Sequence, residues 1–280
     1  MSGSGPLDPA VCSWSLRPTS PADLVDAVRS CGLSAVQLAL DPLRRGEWDP
    51  AATVKRLGEA GISVVSGMME MEGEDYSSLE SIRETGGLRP DATWETNLVA
   101  ASANAALAAA LDLELVSFHA GFLPHDPADP ERGRMLDRLN AVAEAFAARG
   151  VAIALETGQE SAETLLGVLE ALGREDVGVN FDPANMILYG MGDPVEAVRR
   201  LGPHVRQVHV KDARPPREPG TWGEEVPVGT GAVDWPSFLA AVEAVAPEAD
   251  WVIEREAGEQ RATDVRAAVN HLAALAGSEA

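Results

Sequence analysis

Four short apolar stretches of this chain each stop at a side chain that can bind a metal ion. The stretches, with the residue that follows each, are 151–155 with Glu156, 177–181 with Asp182, 205–208 with His209, and 251–253 with Glu254. The four end residues are separated by 26, 27 and 45 positions. A strand, a helix and their loops take about 30 residues, so each of the first two intervals fits one such unit. The third interval has room for one unit and an inserted loop.

The end of a buried strand is an unfavourable place for a charge, because removing an unpaired carboxylate from water costs several kcal/mol. A single Glu there is often just the first polar residue outside the core. Four metal-binding residues at the ends of four successive predicted strands favour one shared site over four unrelated polar residues. Consecutive parallel strand ends converge in a closed barrel, whose carboxyl-terminal face holds the active site. The pattern therefore predicts one site at that face.

Apolar stretches and helix patterns alternate along the whole chain and predict eight strand-helix units. The predicted strands are 11–16, 34–40, 62–66, 114–118 and the four stretches named above. The predicted helices are 21–31, 50–60, 91–111, 130–149, 161–172, 193–201, 235–245 and 261–275. Such alternation favours a parallel sheet covered by helices, either a barrel or an open doubly wound sheet. Eight units favour an α/β fold with a single (β/α)8 TIM barrel, over two smaller domains, and we expect residues 1–280 to form this one domain.

Two longer connections interrupt this alternation. Residues 67–90 are rich in methionine and acidic side chains, and we expect a loop over the barrel mouth that contains a short helix. A solvated acidic excursion is the alternative. Residues 214–231 are rich in Pro and Gly and predict a second loop, in which Gly229-Thr230-Gly231 indicates only a turn.

Composition restricts the partners of the chain. The formal net charge is −22 and the pI is about 4.5, so the surface repels phosphate backbones and anionic lipid, and we expect no nucleic acid or membrane as partner. The N-terminus lacks the segments of a secretory signal, and no apolar run approaches the roughly 20 residues that span a bilayer. The two cysteines, Cys12 and Cys31, imply no disulfide framework. We therefore expect a cytoplasmic protein.

The four end residues offer three carboxylates and one imidazole. Carboxylate-rich ligand sets suit magnesium or manganese, and the imidazole also admits cobalt, zinc or iron. A divalent ion would relieve most of the repulsion between the three carboxylates. We expect one divalent metal ion, with manganese favoured.

Several segments of the chain resemble the xylose isomerase-like superfamily of TIM-barrel sugar isomerases and epimerases, including tagatose 3-epimerase and inosose isomerase-like members. The segments are ALETGQE, VNFDPANMILYG, VHVKDA and VIERE. The resemblance implies that Glu156, Asp182, His209 and Glu254 are the metal ligands. It also implies that Glu156 and Glu254 are the catalytic acid and base, which transfer a proton next to a carbonyl through a metal-stabilised enediolate.

The substrate-binding residues are predicted less directly. Three residues after Asp182, where ketose epimerases of the superfamily tend to have a histidine, this chain has Asn185. Lys211 and Arg214 follow His209, and His119 ends the fourth predicted strand. We expect these four residues, Asn185, Lys211, Arg214 and His119, to bind substrate. Trp14 and Trp222 are candidates for lining a sugar pocket, and we expect Trp235 to be a packing residue.

The leading hypothesis is a metal-dependent sugar or polyol isomerase or epimerase, whose partner is a small sugar or polyol. An inosose-type dehydratase would use the same metal site and lose a β-hydroxyl instead. A non-catalytic sugar-binding barrel is a weaker alternative, because binding alone does not need two acid-base carboxylates. A DNA-repair endonuclease of the same superfamily needs more His ligands and a basic face, and the charge of −22 argues against it. The superfamily also implies a homodimer or a homotetramer.

Overall fold

Eight parallel strands close into a barrel in the computed structural model, which describes residues 8–218 and 220–277. The barrel strands are β1 Ala10–Cys12, β2 Ala35–Ala39, β3 Ser63–Met68, β4 Leu115–Phe118, β5 Ala152–Glu156, β6 Val177–Phe181, β7 Val205–Val210 and β10 Asp250–Ile253. Each strand pairs with its neighbour in sequence, and β1 pairs with β10 to close the circle. The remaining strands, β8 Asp212–Arg214 and β9 Glu224–Val226, form an antiparallel ribbon. The predicted (β/α)8 TIM barrel is confirmed.

Helices surround the barrel and follow its strands. They are α1 Pro21–Ser30, α2 Asp41–Arg44, α3 Pro50–Glu59, α4 Leu79–Thr85, α5 Asp91–Ala110, α6 Pro130–Ala147, α7 Ala162–Leu172, α8 Pro183–Tyr189, α9 Pro194–Leu201, α10 Trp235–Val245 and α11 Arg261–Gly277. Many start with a side chain that accepts a backbone N–H, such as Ser161 before α7 and Asp193 before α9. Within the described chain, every helix is too short or too polar to cross a bilayer.

The space between strands and helices is filled by large apolar side chains such as Phe118, Phe146 and Phe238, all inaccessible to solvent. The inside of the barrel differs, because a set of polar side chains crosses it. This interior polar layer consists of Gln37, Ser66, Ser117, Asn180 and Gln207, each 0% exposed. Ser66 donates to Gln207 across the barrel at 2.6 Å, and Gln207 donates to Asn180 at 3.1 Å. The layer satisfies its own hydrogen bonds, which a buried polar group requires.

The structure differs from the predicted elements in several regions, and three of them lie close to the barrel mouth. Residues 13–16 form a 3-10 turn rather than the end of a strand, and the hydroxyls of Ser13 and Ser15 there accept N–H groups from the ends of β2 and β10. Helix α8 begins directly after Asp182, because Asp182 and Pro183 form a cap and first turn. The predicted 214–231 loop contains β9, which pairs with β8.

The long connection after β3 folds back onto the barrel mouth and contains α4, which confirms the expected short helix. Its backbone is held by buried acceptors: Glu70 N–H donates to Asp41 at 2.8 Å, and Glu72 N–H donates to Asn97 at 2.8 Å. Met69 and Met71 within it are 2% and 6% exposed. The alternative of a solvated acidic excursion is therefore wrong for this part of the loop.

Candidate metal centre

The structure brings Glu156, Asp182, His209 and Glu254 together at the carboxyl-terminal face of the barrel. One ligand atom from each residue can be chosen so that all lie within 4.8 Å of one another. The four residues are between 0% and 4% exposed. They come from the ends of β5, β6, β7 and β10, which are adjacent in the barrel order. Glu156 and Glu254 stand at the two ends of this arc.

Two atoms of this cluster are buried and have no hydrogen-bond partner, namely His209 Nδ1 and Asp182 Oδ2. His209 Nδ1 lies 3.4 Å from Glu156 Oε1 and 3.4 Å from Glu254 Oε2. Buried polar atoms without a partner are rare and costly, and these two belong to neighbouring ligands. A divalent cation would give both atoms a partner, so the residues present fit such an ion.

The cap of α8 aims Asp182 at the cluster. Asp182 Oδ1 accepts the N–H groups of Ala184 at 2.8 Å and Asn185 at 2.9 Å. The Thr157 hydroxyl accepts the Asp182 N–H at 2.8 Å and donates to the Asp182 carbonyl at 3.0 Å. One carboxylate oxygen is thus used to start the helix, and the other is left for the site.

Gln37, in the interior polar layer, contacts the nitrogen of His209 that lies opposite the cluster. Gln37 Nε2 donates to Ser117 at 2.9 Å, so Gln37 Oε1, 2.9 Å from His209 Nε2, can accept a hydrogen from that ring nitrogen, and Asn180 Nδ2 lies 3.0 Å from the same nitrogen. With a divalent ion bound, a hydrogen on Nε2 paired with Gln37 would leave the Nδ1 lone pair for the ion. The Asn180 amide, 3.1 Å from Glu156 Oε2, donates to that carboxylate. The sequence signal for Gln37 is one polar residue in the middle of an apolar strand.

Lys211 lies against the cluster with its side chain 2% exposed. Its ammonium donates to Glu254 Oε2 at 2.8 Å, to Glu256 Oε2 at 2.5 Å and to Asn185 Oδ1 at 3.3 Å. Asn185 in turn donates to Glu156 Oε1 at 3.0 Å. Three of the four predicted substrate-binding residues, Lys211, Asn185 and His119, therefore lie at the cluster. Sequence reasoning missed Glu256, although the Glu-Arg-Glu segment at the end of β10 could have indicated it.

The charges of the cluster are strongly coupled. Burial raises the pKa of Asp182 to about 7, opposed by Lys211 and reinforced by Glu156. Burial alone would also raise the pKa of Glu254, but Lys211 and His209 hold it well below its usual range. Burial would lower the pKa of His209, but Glu156 and Glu254 raise it well above its usual value. The three carboxylates thus carry more negative charge than the two nearby cationic groups balance. A divalent ion bound at the cluster would offset the remaining negative charge.

His119 and Trp14 border the cluster on its other side. His119 Nε2 lies 3.4 Å from Glu156 Oε1, and Trp14 Nε1 donates to Glu254 Oε1 at 2.9 Å. Burial would lower the pKa of His119, but Glu156 and Glu74 raise it. Both side chains line a cavity of about 410 Å³, a volume typical of small-molecule sites. Trp14 thus lines a cavity beside the cluster, and its role in lining a sugar pocket stays a prediction.

Arg214 lies apart from the cluster. Its side chain is 54% exposed, pairs with Glu224 at 3.6 Å and donates to the Thr230 carbonyl at 3.2 Å. Together with Trp222 it lines a separate cavity of about 670 Å³ on the ribbon, and Trp222 packs against Tyr189 at 5.0 Å. Substrate binding by Arg214 stays a prediction.

Asp212 is a second residue that sequence reasoning missed. It is 1% exposed and accepts N–H groups from Gly229 at 2.9 Å and Gly231 at 3.1 Å, and the indole N–H of Trp235 at 3.2 Å. A Cβ on Gly231 would lie 2.0 Å from the Asp212 carboxylate, so this turn requires glycine. The Gly229-Thr230-Gly231 fragment is therefore a specific anchor for the ribbon, and Trp235 is the packing residue that was expected.

Comparison with known proteins agrees with this fold. The model of the xylose isomerase-like TIM barrel family matches residues 25–275, so this chain belongs to that family. An uncharacterized protein of Escherichia coli K12, YihM, is 30% identical over 100 residues. That match covers 35% of this chain and 30% of the relative's length.

Solved structures extend the similarity to the whole barrel. A xylose isomerase domain protein from Planctomyces limnophilus is 30% identical, with 91% of this chain and 92% of that chain covered and a TM-score of 0.85. The fold is also similar to an L-ribulose 3-epimerase, at 16% identity, 96% and 94% coverage and a TM-score of 0.74. The probable 3-DHS dehydratase AsbF of Bacillus anthracis is 18% identical, with 95% and 98% coverage and a TM-score of 0.73.

Proposed function

We propose that this protein is a divalent-metal-dependent isomerase or epimerase of a sugar or polyol. The observation that carries the proposal is the pair of unsatisfied buried atoms, His209 Nδ1 and Asp182 Oδ2, between two carboxylates and beside a cavity of about 410 Å³. A buried charged cluster of this kind is costly for stability, and a function at the cluster explains its presence.

Glu156, Asp182, His209 and Glu254 would hold the ion, with manganese favoured for a carboxylate-rich set. A bound divalent ion would polarise the carbonyl and the adjacent hydroxyl of the substrate and stabilise an enediolate. Glu156 and Glu254 are the acid-base pair of the proposal. Because they stand at the two ends of the strand arc, one removes the proton next to the carbonyl and the other returns a proton from the other side.

The neighbouring side chains would position the substrate. The Lys211 ammonium, held by Glu254 and Glu256, can exchange its 3.3 Å hydrogen bond to Asn185 for one to a substrate oxygen on which negative charge develops. Asn185 is fixed by Glu156 and the Thr157 carbonyl, and can exchange hydrogen bonds with a hydroxyl. His119 faces the cavity from the end of β4. Arg214 is included only as a residue that could reach a longer substrate from the ribbon.

A dehydratase is the second candidate, favoured by the contact between Lys211 and Glu256. In that reaction a glutamate removes the proton next to the carbonyl, and the bond from the β-carbon to its hydroxyl breaks. The hydroxyl then leaves as water with a proton from the Lys211–Glu256 pair. The product of a dehydratase is lighter than its substrate by one water, whereas an isomerase or epimerase conserves mass. We also propose a cytoplasmic location and a homodimer or homotetramer.

Solvent-deuterium incorporation tests the proposal. Manganese-loaded protein is incubated in heavy water with a panel of ketoses and inososes, and each compound is followed by mass spectrometry and proton NMR. We expect deuterium next to a carbonyl, with incorporation lost in Glu156→Gln and Glu254→Gln. Glu259→Gln is the matched control, because Glu259 is 87% exposed and pairs with Arg17 at the surface. Incorporation that survives in both active-site variants would contradict the assigned roles.

A further inference from the structure

The cavity beside the metal centre extends away from the ligands. It is lined by residues at or after the ends of β1, β2, β3 and β4, including Trp14, Ala39, Met68 and His119. The four ligands come instead from β5, β6, β7 and β10. A substrate that reacts at the ligands therefore places its remaining atoms over the ends of β1 to β3. We call this space the distal cavity, and its lining also includes Arg45, Glu70, Met71, Glu74 and Glu256.

An ion pair forms part of the wall of the distal cavity. Arg45 follows α2 and Glu70 lies in the long loop after β3, and both line the cavity. The Arg45 guanidinium donates to Glu70 Oε1 at 2.6 Å, with the two side chains 40% and 59% exposed. The same wall includes the apolar side chains of Trp14, Met68 and Met71.

The cationic groups near this cavity already have acidic partners. Arg45 pairs with Glu70, Arg44 pairs with Asp41 at 2.7 Å, and Lys211 pairs with Glu254 and Glu256. His119, the remaining basic residue of the lining, lies 3.4 Å from Glu156. Glu74 and Glu256 also line the cavity, so its lining carries more acidic than basic groups. Among the described residues that line it, none offers a guanidinium or ammonium without a carboxylate partner.

We propose that the Arg45–Glu70 pair makes the distal cavity selective for substrates whose non-reacting end is uncharged, and that it excludes phosphate and carboxylate ends. This inference rests on the proposed function, because it assigns the other end of the same substrate. Phosphate is bound in proteins by forked guanidinium contacts, and here the guanidinium is neutralised by Glu70. A phosphate group would have to displace Glu70 and then lie among like charges.

The proposal predicts that one substitution changes the selectivity. Glu70→Gln keeps the size of the side chain and releases the Arg45 guanidinium toward the cavity. Glu72→Gln is the matched control, because Glu72 is exposed in the same loop and does not line the cavity. In the double variant of Glu70→Gln with Arg45→Gln, the released cation is removed again.

The experiment measures binding and deuterium incorporation for D-fructose, D-tagatose, D-psicose and L-sorbose, each compared with its terminal phosphate ester. Binding is measured by calorimetry with manganese-loaded protein. For the ketoses that bind, we expect the ester to bind at least 30-fold more weakly to the unmodified protein. We expect Glu70→Gln to reduce this ratio at least tenfold, Glu72→Gln to leave it unchanged, and the double variant to restore it.

Equal or tighter binding of the phosphate esters to the unmodified protein would overturn the inference, as would an unchanged ratio in Glu70→Gln. The proposed function fails in a different way. Binding with the expected preference, but without deuterium incorporation, would contradict the isomerase chemistry and leave the selectivity standing. Absence of binding for every compound in both series would contradict both.

Discussion

The two halves of the barrel mouth are built differently. In the ligand half, at the ends of β5, β6, β7 and β10, the functional side chains are the last residue of a strand or directly next to its end, and they are almost fully buried. In the cavity half, at the ends of β1 to β4, the functional surface comes mainly from connecting segments such as the long loop after β3. That surface combines apolar side chains with a half-exposed ion pair.

The ligand half needs a rigid geometry, whereas the cavity half needs to vary with the substrate. Ligands on strand ends inherit the fixed geometry of the hydrogen-bonded barrel, which a metal centre needs. Loops tolerate exchange and insertion, and they carry much of the specificity in barrels of this kind. We therefore expect changes in the ligand half to affect metal binding, and changes in the cavity half to affect only the substrate.

Asp182→Asn is the strongest test of the ligand half. The amide oxygen of the substituted side chain can still cap α8, but an amide nitrogen replaces the free oxygen that faces the cluster. We expect manganese affinity to fall at least 1000-fold, about 4 kcal/mol, with the melting temperature of the metal-free protein preserved. Calorimetric titration of manganese measures the loss. Asp193→Asn is the control, since Asp193 caps α9 in the same way and lies outside the cluster. Unchanged affinity in Asp182→Asn would remove Asp182 from the metal site.

Gln37→Leu tests whether the ligand half depends on the layer beneath it. Without the Gln37 acceptor, His209 is free to place its hydrogen on Nδ1, where the lone pair is needed. We expect manganese affinity to fall about 30-fold, in the range found for lost outer-sphere partners of metal-binding histidines, while the ion stoichiometry stays the same. The proton NMR signal of the His209 ring reports the tautomer directly. Ser66→Ala removes a side chain of the same layer that does not contact His209, and we expect a smaller effect.

Ala39→Leu tests the cavity half. Ala39 ends β2 and lines the distal cavity, so the larger side chain occupies part of the space for the substrate. We expect KM to rise about tenfold, about 1.4 kcal/mol, with manganese affinity unchanged. Ala103→Leu, on the exposed face of α5, is the control. A parallel loss of metal binding in Ala39→Leu would show that the two halves are not independent.

Glu160→Gln tests a buried carboxyl group near His119, between the two halves. The property measured is the pH dependence of the unfolding free energy. Burial raises the pKa of Glu160 to about 8, opposed by His119, against an ordinary value of 4.5. The folded protein therefore binds this proton more tightly than the unfolded chain, so stability is lost as the pH rises from about 4.5 through 8. The variant has no such proton, so we expect its unfolding free energy to rise by about 1.5 kcal/mol relative to that of the unmodified protein as the pH goes from 6.5 to 8. Urea unfolding at both pH values measures the gain.

The control for this change is Glu163→Gln, a substitution of a glutamate that is 85% exposed near the start of α7. We expect its unfolding free energy to follow the unmodified protein at both pH values. An identical pH dependence in Glu160→Gln and the unmodified protein would show that Glu160 is ionised in the folded state.

The sequence predicted the elements whose signals are local. Strand β6 and helix α10 have their expected boundaries, and the four strand-end residues meet as the alternation implied. The failures involve contacts between distant parts of the chain. Gln37 is 172 positions from its partner His209, and β9 becomes a strand only by pairing with β8. Such polar residues have the same appearance in the sequence whether their hydrogen-bond partner is a distant residue or water.

The interior polar layer has a consequence for how proteins with this architecture diversify. The layer contacts His209 and Glu156 from below, through Gln37 and Asn180, and its five residues all lie within barrel strands. The connections above β1 to β3, as far as the structure describes them, contribute none of its residues. A transplanted or duplicated loop after β2 or β3 can therefore replace part of the substrate wall in one step, while the interior polar layer beneath the reaction centre stays assembled. New specificities become accessible to natural or laboratory evolution without passing through an inactive intermediate.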